Sequence, residues 1–150
     1  MKKLLFVFAS FLLFTGVFAQ IKNPVHWTFS AKKINATTYE VHVTANMDGG
    51  WHIYSQTTPA GGPVPTSISF TKNPLLIIND TPKEVGKLES HHEPLFGVDV
   101  KQFSNGVDFV QTVKVKGKVK TKVDGNIKFM SCNDNECLPP KNQPFSVSLQ

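Results

Sequence analysis

The 150-residue sequence contains no arginine; all 16 basic residues are lysine, against 11 acidic ones. Nucleic-acid readers lean heavily on the planar arginine fork, so the formal +5 does not point to a nucleic-acid partner. After the first nineteen residues no run approaches the 18 consecutive apolar residues that mark a transmembrane helix, so the remainder is expected not to span a membrane. No stretch of ten or more residues carries a helical apolar stripe, and there are no internal repeats and no low-complexity tail. Cysteine is nearly absent as well: there are only two, Cys132 and Cys137. That excludes the dense disulfide framework of small secreted scaffolds.

What is present begins with an export signal. Met1, Lys2 and Lys3 form a positive start, residues 4–18 are apolar, and Val17 and Ala19 are the small residues that signal peptidase requires. Cleavage is expected after Ala19, giving a 1–19 signal peptide and a 20–150 domain. Gln20, rather than a cysteine, follows the cut, which argues against a lipid anchor. About 130 residues remain, enough for one domain with a real core. With Lys2 and Lys3 removed, 14 lysines face 11 acidic residues, a net charge of about +3. An exported domain sits where disulfides form and persist.

The hydrophobic pattern has period two. Tyr39, Val41, Val43 and Ala45 alternate with Thr38, Glu40, His42 and Thr44, as in a strand with one buried face. The segments 25–32, 51–55, 66–70, 75–78 and 145–149 read as further short strands. Asp48-Gly49-Gly50, Asn105-Gly106 and Asp124-Gly125 read as turns between strands. Residues 113–123 read as one strand, with Val113, Val115, Val119 and Val123 on one face and five lysines on the other; Gly117 marks a bulge or bend. Those lysines suit a solvated face that discourages edge pairing. Strands and turns at this spacing predict an all-β antiparallel sandwich, with a closed barrel as the second choice.

Two segments are irregular. Ser55–Ser67 is rich in Pro and Gly and reads as a loop; Ser90–Gly97, "SHHEPLFG", reads as a second loop with apolar residues near its tip. Trp27 and Trp51 read as core, Met130 as packing, and His91 and His92 as surface loop residues.

The cysteines sit in "KFMSCNDNECLPPK" with four residues between them. Three readings compete. A bridge across so short a gap can close only a local loop, and its closure entropy is worth roughly 2 kcal/mol. That is a small gain for a domain already large enough to fold. A zinc site needs about four ligands, and only one cysteine pair is available; His91 and His92 would point to opposite faces if they lay on a strand. A redox-active pair is the third reading. There is no Cys-x-x-Cys and no helix N-terminus to lower a thiol pKa. Asp134 and Glu136 between the cysteines disfavour a thiolate. Such a pair suits attack by a partner's thiolate rather than spontaneous nucleophilicity.

In order, "GWHIYS", "HHEPLFG" and "FMSCNDNECLPP" resemble the N-terminal periplasmic domain of the DsbD family of thiol:disulfide interchange proteins (protein-disulfide reductases). The likeness runs over residues 22 to 150 and is most specific at "CNDNECLPP". It implies an immunoglobulin-like sandwich with a small inserted hairpin subdomain carrying the cysteine pair. It implies that Cys132 and Cys137 cycle between disulfide and dithiol, with Cys137 forming the mixed disulfide. It nominates Leu95 and Phe96 as a cap loop over the pair, and His52 and Tyr54 as walls beside it. Relative to the best-known members, one residue is missing between the cysteines, and Pro94-Leu95 replaces the acidic residue before the aromatic tip. In that family, membrane and thioredoxin-like domains follow; this chain stops at Gln150, as either a free-standing form supplied in trans or a piece of a longer chain.

The expectation is therefore a monomeric periplasmic component of a protein-disulfide reductase. It would relay electrons between thioredoxin-like partners, such as disulfide isomerases or cytochrome-maturation proteins. No cofactor is implied, because the cysteines carry both electrons. The alternative is a non-catalytic immunoglobulin-like binding module with a short structural disulfide. A structural bridge lies below about −300 mV and an exchanging pair above it. If Phe96 covers the sulfurs, Phe96→Ala should leave the fold intact and raise the rate at which dithiothreitol reduces the disulfide, because access helps set exchange rates. Equal reduction kinetics in wild type and variant would remove the cap.

Overall fold

In the computed structural model of the chain, residues 22–93 and 97–150 are described, and they form strands without a helix. The expected signal segment 1–19 and the expected cap residues Leu95 and Phe96 lie outside the described residues. The strands are β1 (Val25–Lys33), β2 (Thr38–Met47), β3 (His52–Tyr54), β4 (Ser67–Phe70), β5 (Leu76–Ile78), β6 (Lys83–Glu93), β7 (Val98–Val115), β8 (Thr121–Phe129), β9 (Ser131–Cys132) and β10 (Lys141–Leu149).

One sheet runs β1-β2-β7-β3-β9, with β5 and β6 on the other edge of β7. The second runs β10-β8-β4, and the pairings in both are antiparallel. The two pack face to face as the expected immunoglobulin-like sandwich. Period two decides which side chains fill the interior. On β2, Tyr39, Val41, Val43 and Ala45 are buried while the intervening residues are not. On β10, Phe145, Val147 and Leu149 are buried and alternate with exposed serines. Aromatic rings tie the layers together. Trp27 of β1 meets Phe129 of β8 edge-on at 5.2 Å, and Phe29 stacks on Phe145 of β10 at 5.4 Å.

β7 organises the first sheet. On one edge, residues 102–104 pair with β3 and residues 106–114 with β2. β2 and β3 thus follow one another along the same edge, separated by an excursion at Asp48-Gly49-Gly50. Gly50 there takes φ 81°, and Trp51 N–H donates to the Asp48 carbonyl at 3.0 Å. The changeover on β7 falls at Asn105, with φ 70°. Asparagine tolerates this left-handed conformation better than most residues. Across the other edge, the β6 register shifts between Gly86 and Leu88.

Several turn expectations are corrected by this arrangement. Asn105-Gly106 is not a turn but a kink inside β7, because paired neighbours on both edges carry the strand through it. Asp124-Gly125 lies inside β8, opposite Ser146 and Phe145. Ser90 to Glu93 are the end of strand β6 rather than loop, so His91 and His92 are strand residues. The expected strand 113–123 is broken: β7 ends at Val115, Gly117 turns with φ 84°, and β8 starts at Thr121 in the other sheet. Val113, Val115 and Val123 are buried as expected, Val119 is 46% exposed, and the five lysines from Lys114 to Lys122 are exposed.

Gly125 has a packing reason. A Cβ there would lie 2.5 Å from Phe145 Cζ and 2.5 Å from the Ser69 carbonyl oxygen. The Phe145 ring occupies the space a side chain would take, with Phe70 packed edge-on against it at 5.9 Å. Gly125→Ala should therefore destabilise the domain by about 1–3 kcal/mol through overpacking. Urea unfolding would register this as a lower midpoint with an unchanged slope, whereas an unchanged midpoint would show that Phe145 can move aside without cost.

Candidate functional site

The cysteine hairpin is built by local hydrogen bonds. Asn133 N–H donates to the Glu136 carbonyl, and Leu138 N–H donates to the Ser131 carbonyl, each at 2.9 Å. Between them, Cys132 and Cys137 face each other as an antiparallel pair with Cα atoms 4.0 Å apart. This is the narrow, non-hydrogen-bonded type of pair, in which side chains come closest. The two sulfurs form a disulfide. The tip is held by the Asn133 side chain, whose Oδ1 accepts from Asn135 N–H at 2.9 Å and Glu136 N–H at 2.8 Å. Asparagine favours this kind of turn because its carbonyl oxygen mimics a backbone acceptor. Glu136 is also ion-paired to Lys22.

β9 attaches this hairpin to the sheet. Cys132 lies opposite His52 and Ser131 opposite Ile53. Period two then sorts the side chains. Ile53 and Ser131 turn inward and are buried. His52, Tyr54 and Cys132 share the outer face with Gln102 and Ser104 of β7, and with Glu89, His91 and Glu93 of β6. A cavity of about 510 Å³ opens on this face, with His52, Tyr54, His91, Glu93 and both cysteines among its lining residues.

The two sulfurs are unequally placed. Cys132 is 2% exposed and packs in a small apolar cluster with Tyr54 and Val100, flanked by Val98 and Met130. Cys137 is exposed. His52 Nε2 lies 3.2 Å from the Tyr54 hydroxyl, and the two rings meet edge-on at 5.3 Å.

The electrostatics follow from burial on a mostly acidic face. Burial, then the neighbouring His91, lowers the His52 pKa below its ordinary 6.5, while Asp134, Glu89 and Glu93 pull the other way. Burial, and secondarily Glu93, pushes the Tyr54 phenol up to about 12. The Ser104 hydroxyl, donating at 2.9 Å, is the main cause of a lowered Glu89 pKa.

Of the residues nominated from the sequence, Cys132, Cys137, His52 and Tyr54 are brought together. Sequence reasoning missed His91, Glu93 and Gln102. The alternation Glu89, His91, Glu93 was the available signal, but an adjacent proline and glycine made the segment read as a loop.

Tyr54 gives this site an alkaline signature. Its folded pKa of about 12 exceeds the ordinary 10.0, so the folded state keeps a proton that the unfolded chain releases first. The resulting stability is fully present below pH 10 and is lost as pH rises from there through 12. Tyr54→Phe should remove that part of the alkaline decline. Urea unfolding of both proteins across this range would measure it, and parallel curves would refute it.

Comparison with known proteins places the chain in a family. The family model described as "Thiol:disulfide interchange protein DsbD, N-terminal" matches residues 20–149. No curated protein matches the chain. Among solved structures, the complex between the DsbD N-terminal and PilB N-terminal domains from Neisseria meningitidis superposes with a TM-score of 0.55 at 14% identity, covering 85% of this chain and 87% of that one. The reduced N. meningitidis DsbD N-terminal domain gives a TM-score of 0.50 at 17% identity, covering 75% and 85%. The N-terminal periplasmic domain of ScsB from Proteus mirabilis gives 0.49 at 14% identity, covering 86% and 49%. At these identities the two Neisseria structures speak for the shared fold, and the family match over nearly the whole chain makes it a member of the DsbD N-terminal family of thiol:disulfide interchange proteins.

Proposed function

We propose that this domain works in the periplasm and relays electrons between thioredoxin-like proteins through a reversible Cys132–Cys137 disulfide. The observation that carries the reading is the asymmetry of the pair: Cys132 is buried against Tyr54 and Val100, and Cys137, opposite it on the outer strand of the hairpin, is exposed. A partner's thiolate would attack the sulfur of the exposed Cys137, and the buried Cys132 would leave. The dithiol would pass its two electrons to an oxidised acceptor by the reverse route. The complex of a DsbD N-terminal domain with a PilB N-terminal domain supports a protein partner for a domain of this family. Periplasmic placement is supported by the signal-like residues 1–19 and by a family match that begins at residue 20.

The bridge adds little that a fold of this size needs. Closing so small a ring contributes roughly 2 kcal/mol, whereas a core running from Val25 to Leu149 holds the sandwich without it. That separation leaves the disulfide free to open and close.

The test uses single-cysteine variants and a thioredoxin-like protein that has one cysteine, activated as its nitrothiobenzoate disulfide. Cys132→Ser, which keeps Cys137, should form the mixed disulfide at least about tenfold faster than Cys137→Ser, because access governs the attack. Both variants should remain folded. The wild-type reduction potential should lie above about −300 mV, the region of exchanging pairs. Loss of folding in both variants, or a potential below that value, would make the bridge a staple and overturn the relay.

A further inference from the structure

The relay moves protons as well as electrons, and the buried Cys132 thiol has little access to bulk water. We propose that His52 accepts the proton of the Cys132 thiol as Cys132 closes the disulfide and releases the reduced acceptor. This rests on the exchange function above and adds the proton's route to it.

The β3–β9 register sets His52 directly opposite Cys132, with both side chains on the outer face. Cβ atoms of opposed antiparallel residues lie about 4.5–5.5 Å apart, and both residues line the same cavity. The other titratable groups facing His52 are Tyr54 on its own strand, Glu89, His91 and Glu93 on β6, and Asp134 in the hairpin. The Ser104 hydroxyl holds Glu89 below the usual carboxylate range, a poor match for a thiol proton, and Tyr54 stays a neutral phenol until about pH 12. His91 sits across on β6, opposite Val100, whereas His52 is the register partner of Cys132. Burial and His91 together hold His52 below its ordinary pKa, so the imidazole is the free base at neutral pH. His52 Nε2 lies 3.2 Å from the Tyr54 oxygen, and the tautomer with its proton on Nε2 has Nδ1 as the acceptor.

The step balances as follows. Cys137 is joined to the acceptor's sulfur in a mixed disulfide. The Cys132 S–H bond breaks and its proton passes to Nδ1 of His52. The Cys132 sulfur attacks Cys137 Sγ, the Cys132–Cys137 bond forms, and the bond from Cys137 to the acceptor breaks. The acceptor leaves as a thiolate, reduced by two electrons overall, while the cysteine pair is oxidised. The imidazolium proton goes to the departing thiolate or to solvent. In the opposite direction the imidazolium returns a proton to the Cys132 thiolate.

The reduced full-length protein mixed with dithiobis-nitrobenzoate separates these events. Attack by Cys137 releases one nitrothiobenzoate, and ring closure by Cys132 releases the second. His52→Gln should slow the second release at neutral pH by at least about tenfold, the lower range of general-base effects being about a hundredfold, and leave the first within about twofold. The second release should also change its pH profile. In wild type it should level off above the imidazole pKa; in the variant it should rise with unit slope through neutrality. His52→Asn serves as the second variant, with thermal melts for both. Variants in which the two releases slow together, or in which the pH profile is unchanged, would overturn the role of His52. The relay would fail by a different sign: no transfer from the wild-type dithiol to an oxidised thioredoxin-like protein.

Discussion

Backbone hydrogen bonding to both edges of β7 sets where every functional side chain stands. β7 runs from Val98 to Val115, longer than any other strand among the described residues, and it shares neighbours between its two halves. Its later half pairs with β2, and with β6 and β5 across the other edge, and its inward side chains Val107, Phe109 and Val113 belong to the core. Its earlier half pairs with β3 on one edge and β6 on the other. The left-handed turn of Asn105 separates these jobs without ending the strand. A break there would separate the half that holds β3, and through it β9, from the half that pairs with β2 and carries the core residues Val107, Phe109 and Val113.

The sheet's two faces divide the labour chemically. Inward residues supply the apolar burial that holds the fold, at about 25 cal/mol per Å² removed from water. Outward residues near β9 can therefore be chosen for chemistry. They include two histidines, a tyrosine, two glutamates and a cysteine, a set that would be costly in the interior. Here they pair among themselves or meet water in the open cavity. The carboxylates disfavour a thiolate nearby by like-charge repulsion, and a buried thiol resists ionising because desolvation penalises the charged form. A site with these properties holds its disulfide quietly until a docked partner supplies the thiolate, and it needs a base within reach for the return step.

Much of this was legible in the sequence because it depends on local rules. Alternation gave β1, β2, β3, β4, β5 and part of β10, and the spacing of Cys132 and Cys137 announced a tight hairpin. What escaped depends on long-range pairing. Asn105-Gly106 and Asp124-Gly125 carry strong turn signals, yet one is a kink held by neighbours on both edges and the other is a glycine emptied to admit Phe145. β6 reads poorly as a strand because its exposed edge carries charged and polar residues such as Lys87, Ser90 and His92, which suit an unpaired edge rather than a buried face. His91 was hidden with it. The residues that define the site's electrostatics come from three strands far apart in sequence, and only register brings them together.

The burial asymmetry of the cysteines follows from the same register and not from the pair itself. A four-residue hairpin treats its two ends alike; nothing in "CNDNEC" decides which sulfur faces solvent. β9 decides it. Cys132 is the last residue bonded to β3, so it is drawn under Tyr54 and against Val100, while Cys137 pairs only with Cys132 and keeps its outer side open. Direction is thereby built into a symmetric covalent bond. The exposed sulfur is the one a protein partner can reach, and the buried one is the leaving group. The buried sulfur also needs help with its proton, because its surroundings exclude the solvent that would otherwise take it. The residue across the ladder from it is a half-buried imidazole rather than a hydrocarbon, which places a proton acceptor beside the buried sulfur.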